Sequence, residues 1–117
     1  MSLNHVEIDA VLNEIDIENS HLQKIKQPNF HSLYLEFYKP GGRFGITVCL
    51  APGKTRLHLV PGAPANEIKL QRFAQFMRSR IRGGRVLSMS QIGSDRIVKM
   101  EILRAGEEIN LWFRLWS

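Results

Sequence analysis

Ser32-Leu33-Tyr34-Leu35-Glu36-Phe37-Tyr38, the turn formers Pro40-Gly41-Gly42, and then Phe44-Gly45-Ile46-Thr47-Val48-Cys49-Leu50 form the stretch that decides the fold. Successive side chains of a strand point to opposite faces, so Leu33, Leu35 and Phe37 share one face and Tyr34, Glu36 and Tyr38 the other. Phe44, Ile46, Val48 and Leu50 continue the same period of two beyond the turn. Proline presets one turn dihedral and glycine tolerates the others, so the two runs read as an antiparallel hairpin.

Upstream of the hairpin, residues 21–27 read as a short strand closed by Pro28-Asn29. Before it, Asn4 caps a helix with Glu7 at the capping-box position, and Ile8, Val11, Leu12 and Ile15 mark its buried stripe. The period fails near Asp16, where the helix is expected to stop. Downstream, Pro52-Gly53 turns the chain into a strand with Leu57 and Leu59 inward, and 61–66 is a short connector. Leu70, Phe73, Ala74, Met77 and Ile81 then recur at helical spacing, and Gly83-Gly84 supplies a left-handed cap. Three more strands follow at 85–92, 96–103 and 108–115. The expected class is α+β: one domain over residues 1–117, an antiparallel strand meander flanked by two helices, ordered α-β-β-β-β-α-β-β-β.

A chain of 117 residues with 44% hydrophobic and 23% charged side chains has the composition of an ordinary globular domain. No positive cluster followed by an apolar run opens it, and no stretch approaches the length of a membrane span. The lone Cys49 lies within an apolar alternation and reads as a core residue, so a reducing cytoplasm and no membrane partner are expected. The net charge of +5 is unevenly spread. Residues 1–20 hold five of the 11 acidic side chains and neither Lys nor Arg, which leaves all 16 basic residues against six acids in the remainder. Such asymmetry points to a polyanion-facing surface behind an acidic first helix; a merely solubilising surface has the same composition.

Catalytic and cofactor patterns are missing from the sequence. His5, His21, His31 and His58 are isolated, the glycine pairs match no phosphate loop, and Ser88 and Ser90 lack a nucleophile-elbow context. No enzyme activity, metal or cofactor is therefore expected. The basic signals are stronger. Arg72, Arg78 and Arg82 fall off the apolar stripe of the second helix, Arg80 sits near its edge, and Arg85 follows the glycines. Their planar forks grip phosphates bidentately, although a solvated arginine-rich helix carries the same residues. Asp95-Arg96, between two apolar strands, sets an acceptor beside a donor fork at a hairpin tip, able to hold a nucleotide edge; a turn aspartate next to a strand arginine is the plainer alternative.

Four segments, in order, resemble the N-terminal domain of the NFACT family of ribosome-associated quality-control factors, often called fibronectin-binding proteins. Lys24-Ile25-Lys26-Gln27-Pro28-Asn29-Phe30-His31 is similar to that family's KIxQPxxH segment, and Arg56-Leu57-His58-Leu59 to its R-x-H strand. Phe76-Met77-Arg78-Ser79-Arg80-Ile81-Arg82-Gly83-Gly84 resembles its LRKxLxGG helix end, and Gln91-Ile92-Gly93-Ser94-Asp95-Arg96-Ile97 its QxGxDRI element. The resemblance implies an RNA-binding module that contacts tRNA through Asp95 and Arg96, with Arg72, Arg78, Arg82 and Arg85 adding phosphate attraction. It also implies a parent factor that recruits tRNA to stalled large ribosomal subunits through regions mostly outside this sequence. Two other readings remain. One is a relative of the base-excision glycosylases, which share the fold but use an N-terminal Pro-Glu pair where this chain has Ser2-Leu3. The other is a fibronectin-binding adhesin. The strand pattern runs on through Trp112 to Trp116, so the sequence reads as a fragment whose open edge suits a homodimer.

Overall fold

Asn4 starts the first element. Its Oδ1 accepts the Glu7 N–H at 2.8 Å while the Glu7 carboxylate accepts the Asn4 N–H at 2.9 Å, a reciprocal box that satisfies two orphan donors of α1 (His5–Glu14). The computed structural model describes residues 2–115, so the expectation concerning Trp116 lies outside the described residues. After α1 come β1 (His21–Asn29), β2 (Ser32–Lys39), β3 (Gly42–Cys49), β4 (Arg56–Val60), α2 (Arg72–Ile81), β5 (Arg85–Gln91), β6 (Ile97–Arg104) and β7 (Glu107–Arg114). Boundaries differ from the sequence expectation by a residue or two. β1 continues through Pro28 to Asn29, whose Oδ1 accepts the His31 N–H and closes the turn into β2.

All seven strands form one antiparallel sheet in the order β4-β3-β2-β1-β5-β6-β7. Two meanders, β1–β4 and β5–β7, are joined where His21 pairs with Arg85. Hydrogen bonds from Leu22 N to Gly84 O (3.0 Å), Gly83 N to Leu22 O (2.7 Å) and Val86 N to Ser20 O (2.8 Å) hold that junction. The sheet curls until Thr55, just before β4, donates its Oγ1 to the Leu115 carbonyl beyond β7 at 2.9 Å. Both meanders and both helices feed a single core that includes Ile8, Phe37, Ile46, Met77, Val98 and Ile102. Gly83 takes the expected left-handed conformation, with φ of 87°, and turns the chain from α2 into β5.

Several side chains depart from their expected places. Leu57 is buried, but Leu59 is 38% exposed because β4 is the short edge strand and the residue sits at its rim beside Lys39–Phe44. α2 begins only at Arg72, so Ala74, Met77 and Ile81 reach the core while Phe73, at 63% exposure, lies on a flank. Cys49 is half-buried on the face opposite Val48 rather than in the core. Tyr34 and Glu36 occupy the expected outer face yet are buried. The reason is a contact across the hairpin: the Tyr34 ring packs over Gly45 of β3, where a Cβ would come 2.5 Å from it.

Candidate nucleic-acid interface

Beyond the His21–Arg85 pair, β1 leaves β5, and its freed edge is met at Gln27 by Ile68 of the connector. The buried Gln27 side chain accepts the Gln71 N–H at 2.9 Å, which fixes the N-terminal end of α2 beside the end of β1. At the other end, the Gly83–Leu22 bond ties the helix exit to the start of β1. α2 therefore runs antiparallel along β1, and a groove opens between them. Its larger part, about 770 Å³, is lined by Lys24, Arg78, Arg82 and Arg104 among others; a second part of about 370 Å³ shares Lys24, Arg78 and Arg82 and adds Lys26 and Glu67.

The spacing of Arg78 and Arg82 places them one turn apart on one helix face, as i, i+4 neighbours. Neither belongs to the apolar stripe, so both guanidinium groups are free of any packing role and exposed. Arg104, at the end of β6, donates to the Ser79 carbonyl and so brings a third guanidinium to the rim. Lys24 is set from beneath: its Nζ lies 4.0 Å from Glu36, whose Oε1 accepts the Tyr34 hydroxyl at 3.0 Å. Five cations thus line the groove against Glu67, with Glu36 paired to Lys24 beneath it, so the local charge balance is positive.

Burial, then the hydrogen bond and the charge of Glu36, push the Tyr34 hydroxyl up to about 12. A folded-state value above the unfolded one of 10.0 means stability is fully present below pH 10 and is lost as pH rises toward 12. The loss is expected to reach about 2–3 kcal/mol. Chemical denaturation at pH 9 and pH 12 should show it, and Tyr34→Phe should remove that component; an unaltered alkaline loss in the variant contradicts the assignment.

The residues predicted from sequence do not converge. Arg78 and Arg82 line the groove. Arg72 opens α2 outside it, and Arg85 donates to Asn19 Oδ1 at 2.9 Å on the α1 side of the junction. Asp95 is exposed and Arg96 half-buried, in the turn between β5 and β6, where Arg96 adopts φ of 56°. β6 leads from this turn to Arg104 at the groove, so the two regions stand at opposite ends of an eight-residue strand, about 25 Å apart. The expectation of one compact grip is corrected to two separate patches. Lys24, Lys26 and Arg104 are the groove residues that sequence reasoning missed; they lie on the central strand β1, where it parts from β5, and at the end of β6. Among the described residues no group of three His, Cys, Asp or Glu side chains is placed to hold a metal. No helix among them is long and apolar enough to cross a membrane.

A profile of the NFACT N-terminal and middle domains matches residues 5–112. The chain belongs to the NFACT family. Solved structures share the fold of this NFACT chain. The N-terminal domain of fibronectin-binding protein PavA from Streptococcus pneumoniae superposes with a TM-score of 0.83 at 22% identity, over 95% of this chain and 46% of that one. The fibrinogen-binding protein from Staphylococcus aureus gives 0.77 at 21% identity, over 94% and 40%. The N-terminal part of the fibronectin/fibrinogen-binding protein from Streptococcus suis gives 0.70 at 20% identity, over 92% and 40%. The NFACT chain thus spans less than half the length of these solved chains. No curated protein matches the sequence. Within the NFACT fold, the segment 24–31 forms most of β1 and its turn, 76–84 the end of α2, and 91–97 the β5–β6 turn.

Proposed function

We propose that the groove between β1 and α2 binds the phosphate backbone of RNA, and that tRNA is the ligand within a factor acting on stalled large ribosomal subunits. The observation that carries this reading is the convergence of Lys24, Lys26, Arg78, Arg82 and Arg104 along one groove, with Glu67 on its lining and Glu36 beneath Lys24 as the acids. The groove is open along its length, which suits a polymer backbone better than an enclosed small molecule. Arginines on a helix face suit phosphate through paired N–H donors. The choice of RNA over DNA follows the resemblance of the four segments to NFACT factors.

Backbone neutralisation releases counterions, so affinity for labelled tRNA should fall steeply with salt. An Arg78→Ala, Arg82→Ala variant should bind more weakly, and its slope of log affinity against log salt should flatten by about two, one per lost phosphate contact. Fluorescence anisotropy across a potassium chloride series measures both. A slope equal to that of the parent removes the groove from RNA binding. Fibronectin, named in two of the solved neighbours, provides the contrasting arm: saturable adsorption to it without RNA affinity favours the adhesin reading.

A further inference from the structure

Glu36 lies beneath the groove with half of its carboxylate already committed. It is the cross-strand partner of Lys24 on β1 and β2, so the two side chains rise from the same face of the sheet. Its Oε1 accepts the Tyr34 hydroxyl at 3.0 Å, and the Tyr34 ring is packed over Gly45. Oε2 is buried, accepts no hydrogen bond and has Lys24 Nζ at 4.0 Å, the outer limit of an ion pair. The partners differ in freedom: the Glu36 side chain is 12% exposed, the Lys24 side chain 53%. A carboxylate held in this way cannot follow the lysine outward, whereas the lysine can move.

A phosphate in the groove therefore meets unequal cations. Lys24 can turn fully toward it only by leaving Glu36 buried and uncompensated, a state that is costly in a poorly solvated site. Lys26, two residues along the same strand face, stands opposite the neutral Tyr34 instead of an acid. Arg78 and Arg82 rise from α2 on exposed positions. Glu67, the other acid of the groove, is also exposed, so water screens its charge.

We infer that Glu36 is an affinity-setting residue of the groove, a fixed counter-anion that withholds Lys24 from RNA phosphate. This role rests on the RNA reading of the groove and adds to it which cations phosphate engages unopposed: Lys26, Arg78 and Arg82, with Lys24 held in reserve. Glu36→Gln keeps the shape of the side chain and an acceptor for the Tyr34 hydroxyl while removing the charge. Fluorescence anisotropy with labelled tRNA at low salt is expected to show this variant binding roughly fivefold to tenfold tighter than the parent. Across a potassium chloride series its slope of log affinity against log salt should steepen by about one, the mark of one added phosphate contact. In a Lys24→Met background the same change should gain less than about threefold and leave the slope unaltered, since no lysine is there to release. Glu67→Gln removes an equal charge from the exposed wall and should leave the slope unaltered whether or not Lys24 is present. Should the amide disturb packing, Tyr34→Phe with Glu36→Met removes both halves of the buried hydrogen bond and should give the same gain as Glu36→Gln. A tRNA-binding parent that Glu36→Gln does not improve, or a slope that steepens as much without Lys24, overturns the inference and leaves the groove reading standing. If neither the parent nor Glu36→Gln binds tRNA, the groove reading falls and takes the inference with it.

Discussion

Gly84→Val is expected to lower the thermal midpoint by about 10–15 °C, the consequence of roughly 3 kcal/mol of overpacking at the junction of the two meanders. Gly84 is buried, and a Cβ there would lie 2.3 Å from Ile102 Cγ2 and 3.0 Å from the Ile81 carbonyl. Ile81 and Ile102 are themselves fully buried, so neither can swing aside without displacing further core. Relief must come from the backbone, and Gly84 O is the acceptor for Leu22 N in the short ladder that joins β1 to β5. Loosening that ladder also shifts the start of β1 relative to α2, so the groove should lose RNA affinity along with stability. Gly62→Ala is the matched control, since nothing lies within 4 Å of its Cβ position; its midpoint should stay within about 2 °C. Circular dichroism melts of the two variants decide the matter. A Gly84→Val midpoint as close to the parent as that of the control shows the junction to be pliant.

The hairpin of β2 and β3 was legible because period-two alternation and turn chemistry agree over residues 32–50, and local signals that agree specify local structure. Helix caps were legible for the same reason: Asn4 with Glu7 and the Gly83-Gly84 pair are signals within a few residues. What depends on contacts distant in sequence was not. The exposure of Leu59 and Phe73 follows from where the sheet ends and where α2 begins, and the burial of Glu36 follows from Tyr34 lying over Gly45. The candidate site divided along the same line. Arg78 and Arg82 were visible as off-stripe arginines, whereas Lys24, Lys26 and Arg104 join them only because β1 departs from β5 after one residue pair and α2 fills the gap. Asp95-Arg96 was read as part of the same grip because sequence adjacency to β5 and β6 does not say at which end of that hairpin the helix docks.

Reversing the two groove arginines, Arg78→Glu with Arg82→Glu, is expected to weaken tRNA binding by at least about a hundredfold at low salt. Each reversal exchanges an attraction for a repulsion of about 1 kcal/mol at contact distance in water, and two positions double the effect. Both residues are exposed and sit off the core stripe of α2, so the fold should survive the change. Asp95→Ala and Arg96→Ala provide the contrast, since they lie about 25 Å away across the length of β6. If phosphate attraction in the groove dominates, either turn variant changes affinity less than about threefold and leaves the salt slope intact, because no counterion-releasing contact is lost. A folded tRNA is long enough to touch both patches, in which case losses from the groove and from the turn add in free energy, as expected for sites that share no partner. The groove assignment fails if Arg96→Ala costs more than the double reversal, for then the turn holds the RNA and the β1–α2 cations are bystanders.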